Sequence, residues 1–233
     1  MMTRQEYLND LLEIYETVKV LSQKENGSLL WFKNRETGKE MVLRSTARRL
    51  LIADFLRTVS YEHLPEVYDA VHLLDGDIVL EEAIRGSTLD RILEKRTLSY
   101  RDASRMLSCI ADALTLIHGA GYVHRDVKPK NIMITESGIL KLIDFDASRI
   151  AVASDDTIRL GTAGFAAPEQ YVGVSDRRAD IFALGVLLNV MLTGAHPSEK
   201  LPKDLRARRI VEKATAMNPE KRFASAEEFR LAL

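Results

Sequence analysis

The spacing of apolar residues changes after the first third of the chain, and this change constrains the fold more than any other feature. In the first third, short apolar runs alternate with turn sequences such as Glu25-Asn26-Gly27, which is typical of antiparallel hairpins. From Ser87 onward, apolar residues recur mostly at helical spacing. We therefore predict an α+β fold of two lobes, a β-rich lobe over residues 1–83 and a mainly helical lobe over residues 84–233. The predicted strands are 18–21, 28–32, 41–44, 66–73 and 77–82.

Four segments carry a helical pattern. Thr3 and Glu6 have the spacing of a capping box, which predicts a short helix directly behind them. Further helices are predicted over residues 47–59 and 104–119. Residues 181–192 are apolar on nearly every side, which predicts a buried central helix. This stretch is too short to cross a bilayer, because a spanning helix needs about 20 residues.

The charge balance and the single cysteine exclude several classes of protein. The chain has 33 basic and 34 acidic residues and a net charge of −1, so no general positive field attracts nucleic acid or an anionic membrane. One cysteine is too few for a disulfide scaffold or a cysteine-rich zinc site, and it fits a reducing compartment. The N-terminal segment lacks the apolar region of a signal peptide. We therefore expect a cytoplasmic protein without nucleic-acid partners or membrane contact of its own.

One short stretch brings together polar residues with a joint chemical use. The sequence His124-Arg125-Asp126-Val127-Lys128-Pro129-Lys130-Asn131 places a carboxylate, an ammonium group and an amide in one loop, and Asp144 follows two apolar runs later. Phosphoryl transfer needs a carboxylate that orients and deprotonates a hydroxyl, a cation at the moving phosphate and oxygen ligands for Mg²⁺. Asp126 matches the first need and Lys128 the second. Asn131 and Asp144 together match the third.

These motifs resemble those of the protein kinase family, and the resemblance covers nearly the whole chain. Residues 124–131 resemble the catalytic loop, and Asp144-Phe145-Asp146 resembles the metal-binding turn. Gly161-Thr162 and Ala167-Pro168-Glu169 resemble the end of the activation segment, with Arg222 as the partner of the glutamate. The chain looks most like the compact bacterial serine/threonine branch. The resemblance implies a two-lobed protein-kinase-like fold, ATP and Mg²⁺ as cofactors, and a protein substrate with a serine or threonine acceptor.

The resemblance also implies roles for residues around the catalytic loop. Asp180 is implied to hold the backbone of this loop from the central helix. Thr162 is implied to hydrogen-bond near Asp126 and Lys128, where it would shape the acceptor site. Thr157 and Thr162 are the candidate phosphorylation sites of the activation segment, which a dimer would modify by autophosphorylation.

A second set of residues is implied in nucleotide binding. Leu29 and Val42 would lie above the adenine and Met133 below it. The segment from Glu81 to Ala83 would read the adenine edge through its backbone, and Leu80 would lie at the back of the pocket as the gatekeeper. The full set implied for the nucleotide is Leu29, Val42, Arg44, Glu81, Ala83 and Met133.

The first lobe departs from the family pattern at three places. The three glycines of the phosphate-covering loop correspond to Ser22, Lys24 and Gly27, so two side chains limit the approach of the backbone to phosphates. The lysine of the third strand is replaced by Arg44, whose planar guanidinium does not substitute directly for a compact ammonium group. Its glutamate partner on the following helix is missing. As a hypothesis, Arg44 pairs with Asp54 instead.

Three functions therefore stay open at this point. The first is an active serine/threonine kinase that uses Arg44, or alternatively Lys24 or Lys33, as its phosphate anchor. The second is a pseudokinase, a nucleotide-binding or scaffolding module that regulates a partner. The third is a small-molecule phosphotransferase, which the peptide-platform sequence around Glu169 disfavours. The complete set of base and metal-ligand residues favours the first function, whereas the changes in the first lobe favour the second.

Overall fold

A computed structural model describes residues 2–151, 162–173 and 176–233 of the chain. Residue contacts divide the chain into two compact units, the first comprising Met1–Tyr61 and Pro65–Arg85, the second Glu62–Leu64 and Gly86–Leu233. The first unit is rich in β-strands and the second is mainly helical, which confirms the predicted α+β class. The division falls after Arg85 rather than after residue 83, and it assigns residues 62–64 to the second unit.

The helices and strands follow one another in a single series. Their bounds are α1 (Arg4–Ile14), β1 (Tyr15–Lys24), β2 (Gly27–Asn34), β3 (Glu40–Thr46), α2 (Leu51–Thr58), β4 (Val67–Leu73), β5 (Gly76–Glu82), β6 (Gly86–Thr88), α3 (Leu89–Leu93), α4 (Tyr100–Gly119), β7 (Tyr122–Val123), β8 (Ile132–Thr135), β9 (Leu140–Leu142), β10 (Arg149–Ile150), α5 (Arg177–Thr193), α6 (Leu205–Ala214) and α7 (Ala226–Ala232). Short 3₁₀ turns lie at Pro129–Asn131, Pro168–Val172 and Pro219–Lys221.

The first unit is built on a five-stranded antiparallel sheet in the order β1-β2-β3-β5-β4. Helix α1 begins at Thr3, whose hydroxyl accepts from the Glu6 N–H while the Glu6 carboxylate accepts from the Thr3 N–H, so the predicted capping box is confirmed. Leu11 of this helix packs in a buried cluster with Leu43 and Leu80 of the sheet. Helix α1 therefore covers one face of the sheet.

The register of β3 against β5 fixes which residues lie on the other face. Leu43 pairs with Leu80, and Arg44 pairs with Val79. Directly opposed residues share a face and successive residues alternate, so Arg44 and Val79 lie on the face away from the α1 cluster. Glu81, two residues beyond Val79, lies on the same face as Arg44.

Helix α2 is shorter than predicted, because residues 47–50 run up to it in a non-helical conformation. The Leu50 N–H donates to the buried Asp77 carboxylate at 2.6 Å, which satisfies this backbone group outside a helix. His72 of β4 lies between Asp54 of α2 and Asp77 of β5, with 2.9 Å from each ring nitrogen to a carboxylate oxygen. These two hydrogen bonds raise the pKa of His72. The imidazole thus ties α2 to the sheet.

The second unit is organised around α5, which is buried on nearly all sides as predicted. Asp176 caps its start, and Gly194, in the left-handed conformation at φ 72°, ends it. The predicted helix over 104–119 lies within α4, which packs against α5 and α7. Two small antiparallel sheets, β6-β8-β9 and β7-β10, complete this unit. No helix among the described residues is long and apolar enough to cross a membrane.

Candidate active site

A buried carboxylate on α5 fixes the backbone of the loop that follows β7. The Asp180 oxygens accept hydrogen bonds from the N–H groups of His124 at 2.8 Å and Arg125 at 2.7 Å, and one of them lies 2.8 Å from His118 Nε2. Burial raises the pKa of Asp180, but the hydrogen bonds from the His118 ring and the His124 N–H outweigh it, so the pKa lies below its usual range. Arg125 is held at φ 70°, a strained angle for a side chain of this size. The contact implied for Asp180 is present.

Asp126 lies at the centre of a compact group of polar side chains. Lys128 Nζ donates to Asp126 Oδ2 at 2.6 Å and to Thr162 Oγ1 at 2.7 Å, and the Thr162 hydroxyl donates to Asp126 Oδ1 at 2.8 Å. The Asp126 and Lys128 side chains are 15% and 18% exposed, so both remain accessible to a reactant. The carboxylate, the ammonium group and the hydroxyl predicted to act together are therefore brought together in the second unit.

Asn131 and Asp144 are placed by a hairpin that ends beside Asp126. The Asn131 amide nitrogen donates to the backbone oxygen and to Oδ2 of Asp126, both at 2.9 Å, which leaves its amide oxygen as the ligand atom. The Ile143 N–H donates to the Asn131 carbonyl at 2.8 Å, so Asp144 follows directly beside Asn131. Asp144 is held at φ 67°.

These two residues fit a Mg²⁺ ion in the chemistry of their donor atoms. Mg²⁺ prefers oxygen ligands and is usually bound by one or two carboxylates, with water and phosphate oxygens completing its coordination. The part of the chain that the structure describes contains no group of three or more His, Cys, Asp or Glu side chains arranged for a metal ion. Asn131 and Asp144 would therefore hold the ion together with phosphate oxygens and water.

His124 connects the catalytic loop to the Asp144 turn. Its ring meets the Phe145 ring edge to face, with 4.9 Å between the centroids. Burial lowers the pKa of His124, so the imidazole is neutral. Its Nε2 lies 3.3 Å from the Ile143 carbonyl and its Nδ1 accepts from the Asp126 N–H at 3.3 Å, which assigns the proton to Nε2. Asp146, which follows Phe145, is exposed.

The segment at residues 167–170 is fixed at two points. Glu169 forms a two-pronged pair with Arg222, whose Nη1 and Nη2 lie 2.6 and 2.8 Å from the carboxylate oxygens. The Gln170 amide nitrogen donates to the Arg125 carbonyl at 2.9 Å, while its amide oxygen accepts from the Ala167 N–H at 2.9 Å. The role of Gln170 was missed from the sequence, although its position directly after Ala167-Pro168-Glu169 is the available signal. Thr157 lies outside the described residues.

The residues predicted to bind nucleotide are divided between the two units. Leu29 of β2 pairs with Arg44, and Val42 precedes it by two residues, so these three residues share the sheet face away from α1. Ala83 is the first residue after β5. Met133 is a half-buried residue of β8 in the second unit.

Two details of the predicted adenine segment differ in the structure. Glu81 lies within β5, opposite Val42 on one side and Val67 on the other, so its backbone faces neighbouring strands and does not belong to the segment after the sheet. Leu80 packs in the cluster with α1, on the face away from Arg44. Its assignment as the gatekeeper is therefore wrong. The alternation of side chains along β5 explains both differences, since a shift of one residue exchanges the two faces.

Arg44 pairs with a carboxylate other than the one predicted. Its Nη2 lies 3.2 Å from Glu81 Oε1, and the two side chains are 10% and 12% exposed. Asp54 is bonded to His72 instead. The hypothesis of an Arg44–Asp54 pair is therefore wrong, and the acid beside Arg44 comes from the neighbouring strand.

Comparison with known proteins identifies a family match over most of the chain. The family described as "Protein kinase domain" matches residues 17–230. A probable serine/threonine-protein kinase of Clostridium perfringens is 34% identical over 190 residues, covering 78% of this chain and 27% of the relative. The serine/threonine-protein kinase pkn3 of Myxococcus xanthus is 31% identical over 228 residues, covering 82% of this chain and 42% of the relative.

A third relative, the serine/threonine-protein kinase PknL of Mycobacterium tuberculosis, is 32% identical over 220 residues. That match covers 83% of this chain and 54% of the relative. This chain thus spans between about a quarter and about half of the length of the relatives it matches.

Proposed function

Since this chain belongs to the protein kinase family and has its two-lobed α+β fold, we propose that it transfers the γ-phosphoryl group of ATP to serine or threonine hydroxyls of a protein. The observation that carries the proposal is the arrangement around Asp126. Its carboxylate accepts from Lys128, Thr162 and Asn131 at 2.6 to 2.9 Å. Such a fixed carboxylate beside a fixed cation matches what phosphoryl transfer requires of a protein.

In the proposed reaction, Asp126 orients the acceptor hydroxyl and receives its proton. The hydroxyl oxygen forms a bond to the γ-phosphorus while the bond from that phosphorus to the bridging oxygen breaks, and ADP leaves with the electron pair. Lys128 lies beside the carboxylate and stabilises the negative charge of the moving phosphoryl group. Mg²⁺, held by Asn131 and Asp144, would neutralise charge on the phosphates.

Thr162 supports the choice of a serine or threonine acceptor. Its hydroxyl bridges Asp126 and Lys128, so it holds both groups in one geometry at the place where a short hydroxyl side chain would enter. This engagement also makes Thr162 a poor phosphorylation site. We propose that autophosphorylation, where it occurs between two copies, uses residues other than Thr162.

A pseudokinase is the second candidate function, and the glycine content of the β1–β2 hairpin favours it. The hairpin between β1 and β2 retains only Gly27 of three expected glycines, and this glycine serves the packing of the sheet. A Cβ atom there would lie 2.2 Å from the Ser45 carbonyl oxygen. The packing of the sheet alone therefore explains the glycine at position 27, without a role in phosphate binding.

The two functions are separated by the intact mass of purified protein after incubation with Mg·ATP. We expect a gain of one or more phosphate masses, or the same gain on an added serine- and threonine-containing protein. Asp126→Asn, which keeps the size of the side chain and removes its charge, should slow this gain by about 10²–10⁴-fold. The melting temperature of both proteins confirms that they are folded.

The contrary result is equally specific. If the unaltered protein and Asp126→Asn show the same mass and the same product, the proposed reaction is wrong. A rise in melting temperature with nucleotide but not with added Mg²⁺ would then favour a nucleotide-binding regulator, because only ligands that bind the folded state raise it.

A further inference from the structure

Arg44 and Glu81 form a buried ion pair within the sheet of the first unit. The guanidinium of Arg44 on β3 lies 3.2 Å from the carboxylate of Glu81 on β5, and about nine-tenths of each side chain is buried. Breaking such a pair from one side leaves a charge in a poorly solvated place and is strongly unfavourable. The pair is therefore a fixed feature of this face of the sheet.

The register of the strands sets the geometry of this pair. Arg44 directly opposes Val79, and Glu81 is the diagonal neighbour on the same face. Diagonal neighbours on adjacent strands lie within reach of long side chains. The pairing of β3 with β5 therefore places the Glu81 carboxylate beside Arg44.

Helix α2 has a separate task for its acid. Asp54 is the only acidic residue in α2, and its carboxylate is bonded to His72 of β4 at 2.9 Å. His72 is in turn 2.9 Å from Asp77 of β5. Asp54 of α2 therefore holds the helix to the sheet, while Glu81 of β5 holds the Arg44 cation.

We propose that Glu81 is the positioning residue for the phosphate-binding cation, holding Arg44 from within the sheet so that its placement does not depend on α2. This inference rests on the proposed function for the role of Arg44 at the phosphates. It assigns Arg44, which stands where the resemblance implies a lysine, and the carboxylate of Glu81 to one arrangement. A longer, planar cation suits an acid on the neighbouring strand, since its two Nη groups can serve a carboxylate and a phosphate at once.

The pairing is tested first without nucleotide, by two double-mutant cycles read as melting temperatures. One cycle combines Arg44→Met with Glu81→Gln, and the matched cycle combines Arg44→Met with Asp54→Asn. We expect a coupling of about 2–4 °C between positions 44 and 81 and none beyond error between positions 44 and 54. Arg44→Lys replaces Arg44→Met if the latter does not fold. Coupling only to position 54, or to neither, would overturn the proposal.

The second measurement is the affinity for Mg·ATP, determined by calorimetry, together with the kinetic constants. Glu81→Gln should weaken binding and raise KM for ATP about tenfold while changing kcat much less, because position 81 acts through Arg44 and does not touch the acceptor. Glu81→Asp, which keeps the charge, should recover part of the affinity. Asp54→Asn should stay within about twofold of the unaltered protein.

The outcomes distinguish this inference from the proposed function. Full nucleotide affinity in Glu81→Gln would overturn this inference alone. Absence of nucleotide binding in the unaltered protein would overturn the phosphate role of Arg44 and the proposed function together. Nucleotide binding without phosphoryl transfer would contradict only the proposed function.

Discussion

Two buried arginine–glutamate pairs among the described residues are built in different ways. In the second unit, Arg222 makes two short bonds to Glu169 and further bonds to backbone carbonyls, including that of Ala216 at 2.8 Å, and its side chain is fully buried. In the first unit, Arg44 meets Glu81 through one bond of 3.2 Å, and both side chains keep some exposure. The Arg222–Glu169 pair joins two segments at 3₁₀ turns, whereas the Arg44–Glu81 pair joins two neighbouring strands.

This difference shows where the sequence departs from its family and where it keeps to it. The second unit retains the residues of the catalytic loop together with the partners that hold them, such as Asp180 and Arg222. The first unit has Arg44 where the resemblance implies a lysine, and the carboxylate beside Arg44 comes from the sheet. We infer that a buried network with many partners tolerates few changes, because losing one member leaves several groups unsatisfied.

Among the variants that test this comparison, we expect the largest loss of stability for Glu169→Ala. Removal of the carboxylate leaves the Arg222 guanidinium buried without its charge partner and should lower the free energy of unfolding by about 2–4 kcal/mol. The measurement is chemical denaturation, analysed as two-state only where different probes coincide. Glu220→Ala is the matched control, because Glu220 pairs with Arg178 at the surface with 73% of its side chain exposed.

Exposed pairs of this kind contribute about 0–1 kcal/mol, so Glu220→Ala should have little effect. Equal losses in the two variants would mean that burial does not distinguish the two glutamates, and the Arg222–Glu169 pair would not be the strong buried pair of the second unit.

The sequence predicted the second unit more fully than the first for a physical reason. Asp126, Lys128, Asn131 and Asp144 lie within short segments whose order along the chain limits where their side chains can go. The structure brings the first three together in a hydrogen-bonded group, with Asp144 directly beside Asn131.

The partner of Arg44 could not be found in the same way. It depends on which residue of β5 faces which side, and a shift of one residue exchanges Leu80 for Glu81. The turn sequences of the first unit predicted the hairpins, but they did not fix this register. The role of Gln170 was missed for a related reason. Its partner is the backbone carbonyl of Arg125, and a backbone group does not depend on residue type, so the sequence does not indicate this contact.

A smaller effect is expected for Gly27→Ala in the hairpin of the first unit. The added Cβ would lie 2.2 Å from the Ser45 carbonyl oxygen, so the β2–β3 ladder must shift to admit it. We expect a loss of about 1–3 kcal/mol in the free energy of unfolding, as for other overpacked sites. Gly119→Ala is the control, since nothing lies within 4 Å of a Cβ built there.

If nucleotide affinity falls in Gly27→Ala in proportion to stability, the glycine acts through packing alone. A large loss of affinity with unchanged stability would contradict this and would return Gly27 to the phosphate-binding role of the family.

The smallest effect concerns the pH dependence of the first unit, which His72 should dominate near neutrality. Hydrogen bonds to Asp77 and Asp54 raise the pKa of His72 above its ordinary value of 6.5, so the folded state prefers the protonated ring. The resulting stability is fully present below about pH 6.5 and is lost as the pH rises through the raised pKa of the folded state. The Arg49 guanidinium, 3.1 Å from Asp77, also faces this group.

We therefore expect the melting temperature to fall by about 1–3 °C between pH 6 and pH 8.5 relative to a His72→Gln variant, which lacks the titrating group. Asp54→Asn should reduce the fall, because it removes one of the two carboxylates that favour the protonated ring. An identical pH dependence in the unaltered protein and in His72→Gln would show that another group stabilises α2. In that case the division of tasks between Asp54 and Glu81 would need a different explanation, since Asp54 would have no demonstrated role in holding the helix.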